Sequence, residues 1–123
     1  MKKILFPTDF SPTSLNAFQH AAAWAKQTQA ELITLHVYEL PIMDFTGVGT
    51  AYLELYDTVE LSQFEAYRAH IQQLQKQLPD EQLEMRHILT DGELVHRILE
   101  VIEKENIDLV IMGTQGASGW KEF

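Results

Sequence analysis

The chain has 123 residues, a formal net charge of −9, 46% hydrophobic residues and 22% charged residues, which is the size and composition of one globular domain with a real core. So acidic a surface excludes a non-specific grip on nucleic acid or on anionic membrane. The lack of cysteine excludes disulfides, thiolate catalysis and zinc-thiolate sites. No apolar stretch approaches the roughly 20 residues that a membrane helix needs, and Ile4-Leu5-Phe6 before Pro7 is too short for a signal-peptide core. The expectation is a cytoplasmic protein.

Lys3-Ile4-Leu5-Phe6 reads as the first strand, ended by Pro7. Thr8-Asp9-Phe10 is a short loop. Ser11-Pro12 then starts a helix, with Ser as N-cap and Pro at the first helical position. Leu15, Phe18, Ala22 and Ala25 keep helical spacing, and the alanines favour helix and allow close packing against a sheet. This helix fades over Gln27 to Gln29. Glu31 to Tyr38 is the second strand, so the opening is a βαβ unit with parallel strands.

Residues from Glu39 to about Ala51, with Pro41, Gly47 and Gly49, form a long irregular connection, expected to be a flap or a partner-contacting segment. Gly47-Val48-Gly49 lacks the third glycine of a dinucleotide fingerprint. A long helix is expected from near Glu54 to Leu78, with Phe64, Tyr67, Ile71, Leu74 and Leu78 on one face and Pro79 as its stop. Leu83 to Leu89 is a partly alternating third strand, placed toward a sheet edge. Asp91-Gly92 is a turn. Glu93 to Glu105 is a helix that turns Leu94, Ile98, Val101 and Ile102 inward, and Asn106 is a left-handed stop.

Leu109-Val110-Ile111-Met112 is apolar without a break, as in a strand buried on both faces of a parallel sheet. Gly113, Gly116 and Gly119 follow. Glycines just past a strand let the backbone approach a ligand closely, and open α/β sheets bind ligands outside the carboxyl ends of their strands. The three therefore form a candidate wall of a phosphate cradle, although an ordinary βα turn would use the same glycines. With so acidic a chain, a phosphate site must work through local N–H groups and a divalent cation. After the glycines only Trp120-Lys121-Glu122-Phe123 remain, where a doubly wound sheet should continue into another helix and strand. The expectation is a domain incomplete at its C-terminus, or completed by another chain.

The opening Lys3 to Ser11, with Ser14 and Ala17, resembles the start of the universal stress protein family. Leu35-His36-Val37-Tyr38, Asp91-Gly92-Glu93 with Ile98, and Asp108 to Gly116 resemble its second strand, its third turn and its fourth strand with the nucleotide turn. The resemblance covers residues 1–123 in order. It implies a three-layer, doubly wound α/β fold with a parallel sheet, Rossmann-like and similar to the adenine nucleotide alpha hydrolases, here lacking the last helix and strand. It implies either a truncated domain or the first half of a tandem protein.

It also implies a stress regulator that binds an adenine nucleotide, ATP with Mg²⁺, and that forms a homodimer or pairs with a tandem domain. Any ATP hydrolysis would be weak, since no general base or arginine finger stands near the turn. By the family's pattern, Pro7, Thr8, Asp9 and Val37 would line the adenine and ribose side, with Asp9 able to act through Mg²⁺. Met112, Gly113, Gln115 and Gly116 would approach the ribose and phosphates. Gly113 and Gly116 match the first half of the family's glycine pattern, and the second half would fall beyond Phe123. The alternative is the same fold without nucleotide, acting through dimerisation and the segment Leu40 to Leu61.

Each residue has a plainer role as well. Asp9 suits a loop carboxylate at a helix start, Val37 suits core, and Gln115 suits solvent. The five histidines (His20, His36, His70, His87, His96) lie on different elements without zinc-ligand spacing. His20 and His70 are expected on helix surfaces and Glu93 in solvent. No serine lies in a recognisable nucleophile frame, and the paired acids of a receiver domain after the first strand are absent.

Overall fold

The computed structural model describes residues 2–38, 50–78, 83–114 and 117–122, with side chains for all of these except 50–59 and 114–122. The elements in order are β1 (Lys3–Pro7), α1 (Pro12–Thr28), β2 (Glu31–Tyr38), α2 (Thr50–Lys76), β3 (Met85–Asp91), α3 (Leu94–Glu105), β4 (Leu109–Thr114) and β5 (Ala117–Glu122). The strands form one sheet in the order β3-β2-β1-β4-β5. β1 pairs in parallel with β2 and with β4, and β2 in parallel with β3. This is the doubly wound α/β class expected from the sequence.

Local chemistry sets the helix ends. Ser11 sits in the extended region (φ −66°, ψ 162°) as N-cap of α1. Its hydroxyl accepts from Ser14 N–H at 3.2 Å, and Pro12 fills the first turn where an N–H has no helical partner. Asn106 closes α3 with φ 54°, the left-handed stop predicted for it. Gln29 closes α1 the same way, with φ 57°. The N-cap of α3 is Glu93, whose carboxylate accepts from Val95 N–H at 3.2 Å and His96 N–H at 2.7 Å. Glu93 is exposed, as the sequence suggested, and in that position it also serves as an anion satisfying first-turn amides.

Strand alternation divides the core in two. Ile4, Phe6, Leu32, Leu109 and Ile111 face α1 and α2, where they meet Phe18, Ala21, Ala25, Tyr67 and Leu74. Leu5, Ile33, Leu35 and Val110 face α3 and pack against Ile98, Val101 and Ile102. Phe6 and Phe18, both fully buried, meet at 5.5 Å with tilted rings. The α3 side is thinner: no α3 residue is fully buried, and Leu94, Val95 and Leu99 are exposed.

Some boundaries differ from expectation: α2 runs from Thr50 to Lys76 rather than from near Glu54 to Leu78, and β3 reaches Asp91 rather than Leu89. β3 begins two residues later than predicted and does lie at the sheet edge. The end of the chain forms a fifth strand, β5, antiparallel to β4, with Ile111 opposite Trp120 and Thr114 opposite Ala117. β5 pairs with the edge of β4 that β1 does not use, and an antiparallel pairing needs no crossover helix. The segment 39–49, predicted to be irregular, lies outside the described residues.

Candidate functional site at the carboxyl ends of β1 and β4

β1 leads through α1 to β2 on one side, while β4 returns through α3 to the other side of β1. The carboxyl ends of β1 and β4 therefore flank the point where strand order reverses, and in an open α/β sheet that point is the ligand crevice. β1 pairs Ile4 with Leu109 and Leu5 with Val110. Carried forward, this register sets Pro7 and Thr8 level with Met112 and Gly113. Two of the sequence-predicted groups thus come together from elements about a hundred residues apart. Gln115 and Gly116 lie outside the described residues.

Thr8 is buried and every polar group it carries is engaged. Its N–H donates to Leu35 O at 2.9 Å. Its hydroxyl meets Ser14 Oγ at 2.6 Å and accepts from Phe10 N–H at 3.0 Å. Its carbonyl lies 2.8 Å from His36 Nδ1. A carbonyl only accepts, so Nδ1 carries the proton and the tautomer of His36 follows. Asp9, next in the chain, is exposed. Its Oδ1 accepts from Ser11 N–H at 2.9 Å, a local turn bond that leads into α1. This is a loop carboxylate at the helix start, while the N-cap itself is Ser11.

The side chain of Val37 packs with the α3-side cluster. Its main chain matters more. Leu35 directs its main-chain groups toward β1, as the Thr8 N–H to Leu35 O bond shows. By the two-residue period of a strand, Val37 does the same. The β1–β2 ladder ends at Pro7 and Leu35, so Val37 N–H and C=O face past the end of β1.

Gly113 is glycine for a different reason from the one its motif implies. Its backbone φ lies outside the left-handed region. A Cβ there would fall 2.6 Å from Ala17 Cβ and 3.0 Å from Thr13 O. The bare Cα therefore lets β4 lie close against the first turns of α1. It does not hold open a ligand space on that face.

Beside the crevice lies a cluster of rings that sequence reading missed. Phe10 is buried with φ 61°, a backbone region that a bulky residue rarely adopts. Its ring stacks on His70 at 4.4 Å and 9°, and leans on His36 at 4.9 Å and on Tyr67 at 6.0 Å. His70 is thus part of an internal stack rather than a free helix-surface residue. Nearby, Thr34 Oγ1 bonds His87 Nδ1 at 2.6 Å, and burial pulls the His87 pKa below its ordinary value. Helical spacing in α2 and alternation in β2 place these rings on facing sides, but only their crossing brings them into contact. Among the described residues no group of three or more His, Asp or Glu is arranged to hold a metal ion.

The sequence matches the model of the universal stress protein family over residues 1–123. It is 28% identical to universal stress protein MJ0577 of Methanocaldococcus jannaschii, over 99% of this chain and 82% of that protein. The solved structure of MJ0577 superposes with a TM-score of 0.73 at 29% identity, covering 94% of this chain and 76% of the other. A universal stress protein in complex with cAMP has a TM-score of 0.56 at 18% identity, covering 89% and 69%. An Arabidopsis thaliana family protein, At3g01520, with AMP bound, has a TM-score of 0.56 at 11% identity, covering 94% and 78%. At these identities the last two likenesses concern the fold.

Proposed function

Because the chain belongs to the universal stress protein family, we propose that it binds an adenine nucleotide where β1 and β4 end, and that ATP with Mg²⁺ is its ligand. The reading rests on one observation above all: past the last β1–β2 pair, Val37 carries main-chain N–H and C=O that no β1 residue pairs, while Asp9, two residues beyond the end of β1, is exposed. An adenine ring offers a donor and an acceptor along one edge, which suits a strand's main chain. Ribose hydroxyls suit a carboxylate acceptor, and that same carboxylate can hold a metal-bound water. Pro7, Thr8 and Met112 form the rest of the strand-end wall. Structures of the same fold hold AMP and cAMP.

The residues near the crevice fit the nucleoside better than the phosphates. The N-terminus of α1 is already capped by Ser11, and the bare Cα of Gly113 is taken up by α1. Gln115 and Gly116, which the sequence assigned to the ribose and phosphates, lie outside the described residues. Bound, Mg²⁺ would neutralise phosphate charge in an otherwise acidic protein. We assign the protein a sensing or regulatory role in the cytoplasm and no catalytic step.

Equilibrium dialysis of the folded protein against ATP with Mg²⁺ tests this. One saturable site is expected, with ATP preferred over GTP. Absence of saturable binding by folded protein sinks the reading. One observation favours a second reading, a stress protein acting through self-association: Leu94, Val95 and Leu99 leave an apolar ridge on α3. Sedimentation of wild type and Val95→Glu separates the two, because a dimer through α3 would dissociate in the variant without change in ATP binding.

A further inference from the structure

We propose that His36 is a positioning residue that keeps the strand-end edge open, by taking the Thr8 carbonyl away from the β-ladder. The inference rests on the nucleotide reading for its ligand and deepens it, since it names what prepares the adenine-binding edge. In a parallel pair, evenly spaced bonds alternate along the ladder. Thr8 N–H donates to Leu35 O, so the next bond in register would run from Val37 N–H to the Thr8 carbonyl. That bond does not form. The Thr8 carbonyl instead accepts from His36 Nδ1 at 2.8 Å. The side chain of one β2 residue thus substitutes for the main chain of the next, and the Val37 N–H is left facing the crevice.

The substitution is held from behind. His36 is half-buried and Phe10 leans on its ring at 4.9 Å. Phe10 is in turn stacked on His70 of α2 at 4.4 Å. Phe10 reaches this place only with φ 61°, a strained conformation stabilised by the bond from its N–H to Thr8 Oγ1 at 3.0 Å. Thr8 Oγ1 also meets Ser14 Oγ at 2.6 Å. The strain, the ring stack and the hydroxyl pair all converge on one residue, Thr8, whose carbonyl then points at His36 rather than at Val37. An unmade ladder bond next to a ligand crevice is a preorganised donor: it costs stability in the free protein and needs no rearrangement when a ligand acceptor arrives.

The test uses His36→Ala, which removes the competing donor, and His36→Asn, whose amide nitrogen reproduces the place of Nδ1. The first readout is hydrogen exchange at the Val37 amide in the ligand-free protein, followed by NMR. Fast exchange is expected in the wild type, at least tenfold slower exchange in His36→Ala as the ladder bond closes, and fast exchange again in His36→Asn. A protected Val37 amide in the wild type overturns the proposal, and so does unchanged exchange in His36→Ala. The second readout is ATP affinity, expected to fall about tenfold in His36→Ala and to recover in His36→Asn. ATP binding unaffected by either variant also overturns it. If the wild type binds no ATP, the nucleotide reading fails, while the Val37 amide still decides whether His36 opens the edge.

Discussion

Gly113 and Ala17 touch as closely as two residues can: a Cβ on Gly113 would lie 2.6 Å from the Ala17 Cβ. This contact fixes how near α1 approaches β4. A glycine in a nucleotide motif is usually explained by the ligand. At this position helix packing is sufficient, since Thr13 O closes the same space at 3.0 Å.

Gly113→Ala should therefore destabilise the protein by about 1–3 kcal/mol, the ordinary range for overpacking, and Gly113→Val by more. Ala17→Gly should recover part of the loss in Gly113→Ala, because it removes one of the two obstructing groups. Urea midpoints of the single and double variants check this. Additive losses would show that the two residues do not compete for the same space.

Thr8 makes a second prediction. Thr8→Val keeps the shape but leaves Ser14 Oγ and the Phe10 N–H without their partner. The loss should be about 1–3 kcal/mol, as for buried polar groups orphaned by one substitution. Thr8→Ser should stay near wild type, because the hydroxyl remains. Equal stability of Thr8→Val and Thr8→Ser would refute the role given to the hydroxyl.

His87 should make stability depend on pH near neutrality. Burial lowers its folded-state pKa below the ordinary value of 6.5. The unfolded chain then takes up a proton that the folded chain refuses. The His87 contribution is fully present above pH 6.5 and is lost as the pH falls from there through the folded-state value. His87→Gln should flatten that part of the stability profile relative to the wild type, with the other four histidines common to both. Chemical unfolding at closely spaced pH values between neutral and mildly acidic measures it, and parallel profiles would rule it out.

Asp108 acts at the opposite end of the sheet and in the opposite sense. Its Oδ2 accepts from the Lys2 and Lys3 main-chain N–H groups at 2.9 and 3.0 Å, and these bonds hold its pKa below the ordinary 3.8. Its contribution is present above pH 3.8 and is lost as the pH falls through the folded value. Asp108→Asn should be less stable than wild type at neutral pH, with the gap narrowing in strong acid. A gap that is constant with pH would mean that the carboxylate charge plays no part.

The αL stop at Asn106 and the Ser11-Pro12 start were legible because capping is local chemistry, decided within a few residues. Leu109 to Met112 was legible as a buried strand because an unbroken apolar run has few other uses. The exposure of Glu93 was legible, but its capping role was not, because a glutamate at an N-cap leaves no periodic signal. No strand was expected over Ala117 to Glu122, because alternation there is weak and an antiparallel strand depends on a free edge that exists only once β4 is in place. The pairing of Thr8 with Ser14 and His36, and of Phe10 with His70, joins β1's exit loop to β2, α1 and α2. No periodicity relates those positions.

The amino-acid order alone determined the alternation of strands and helices, the two-sided core and the family, because burial and capping act through short-range patterns. Only the folded arrangement decided which groups at the strand ends remain available. That depends on a competition between His36 and Val37 for one carbonyl, and on whether Gly113 faces a helix or open space. Both are questions of distance between elements far apart in the chain.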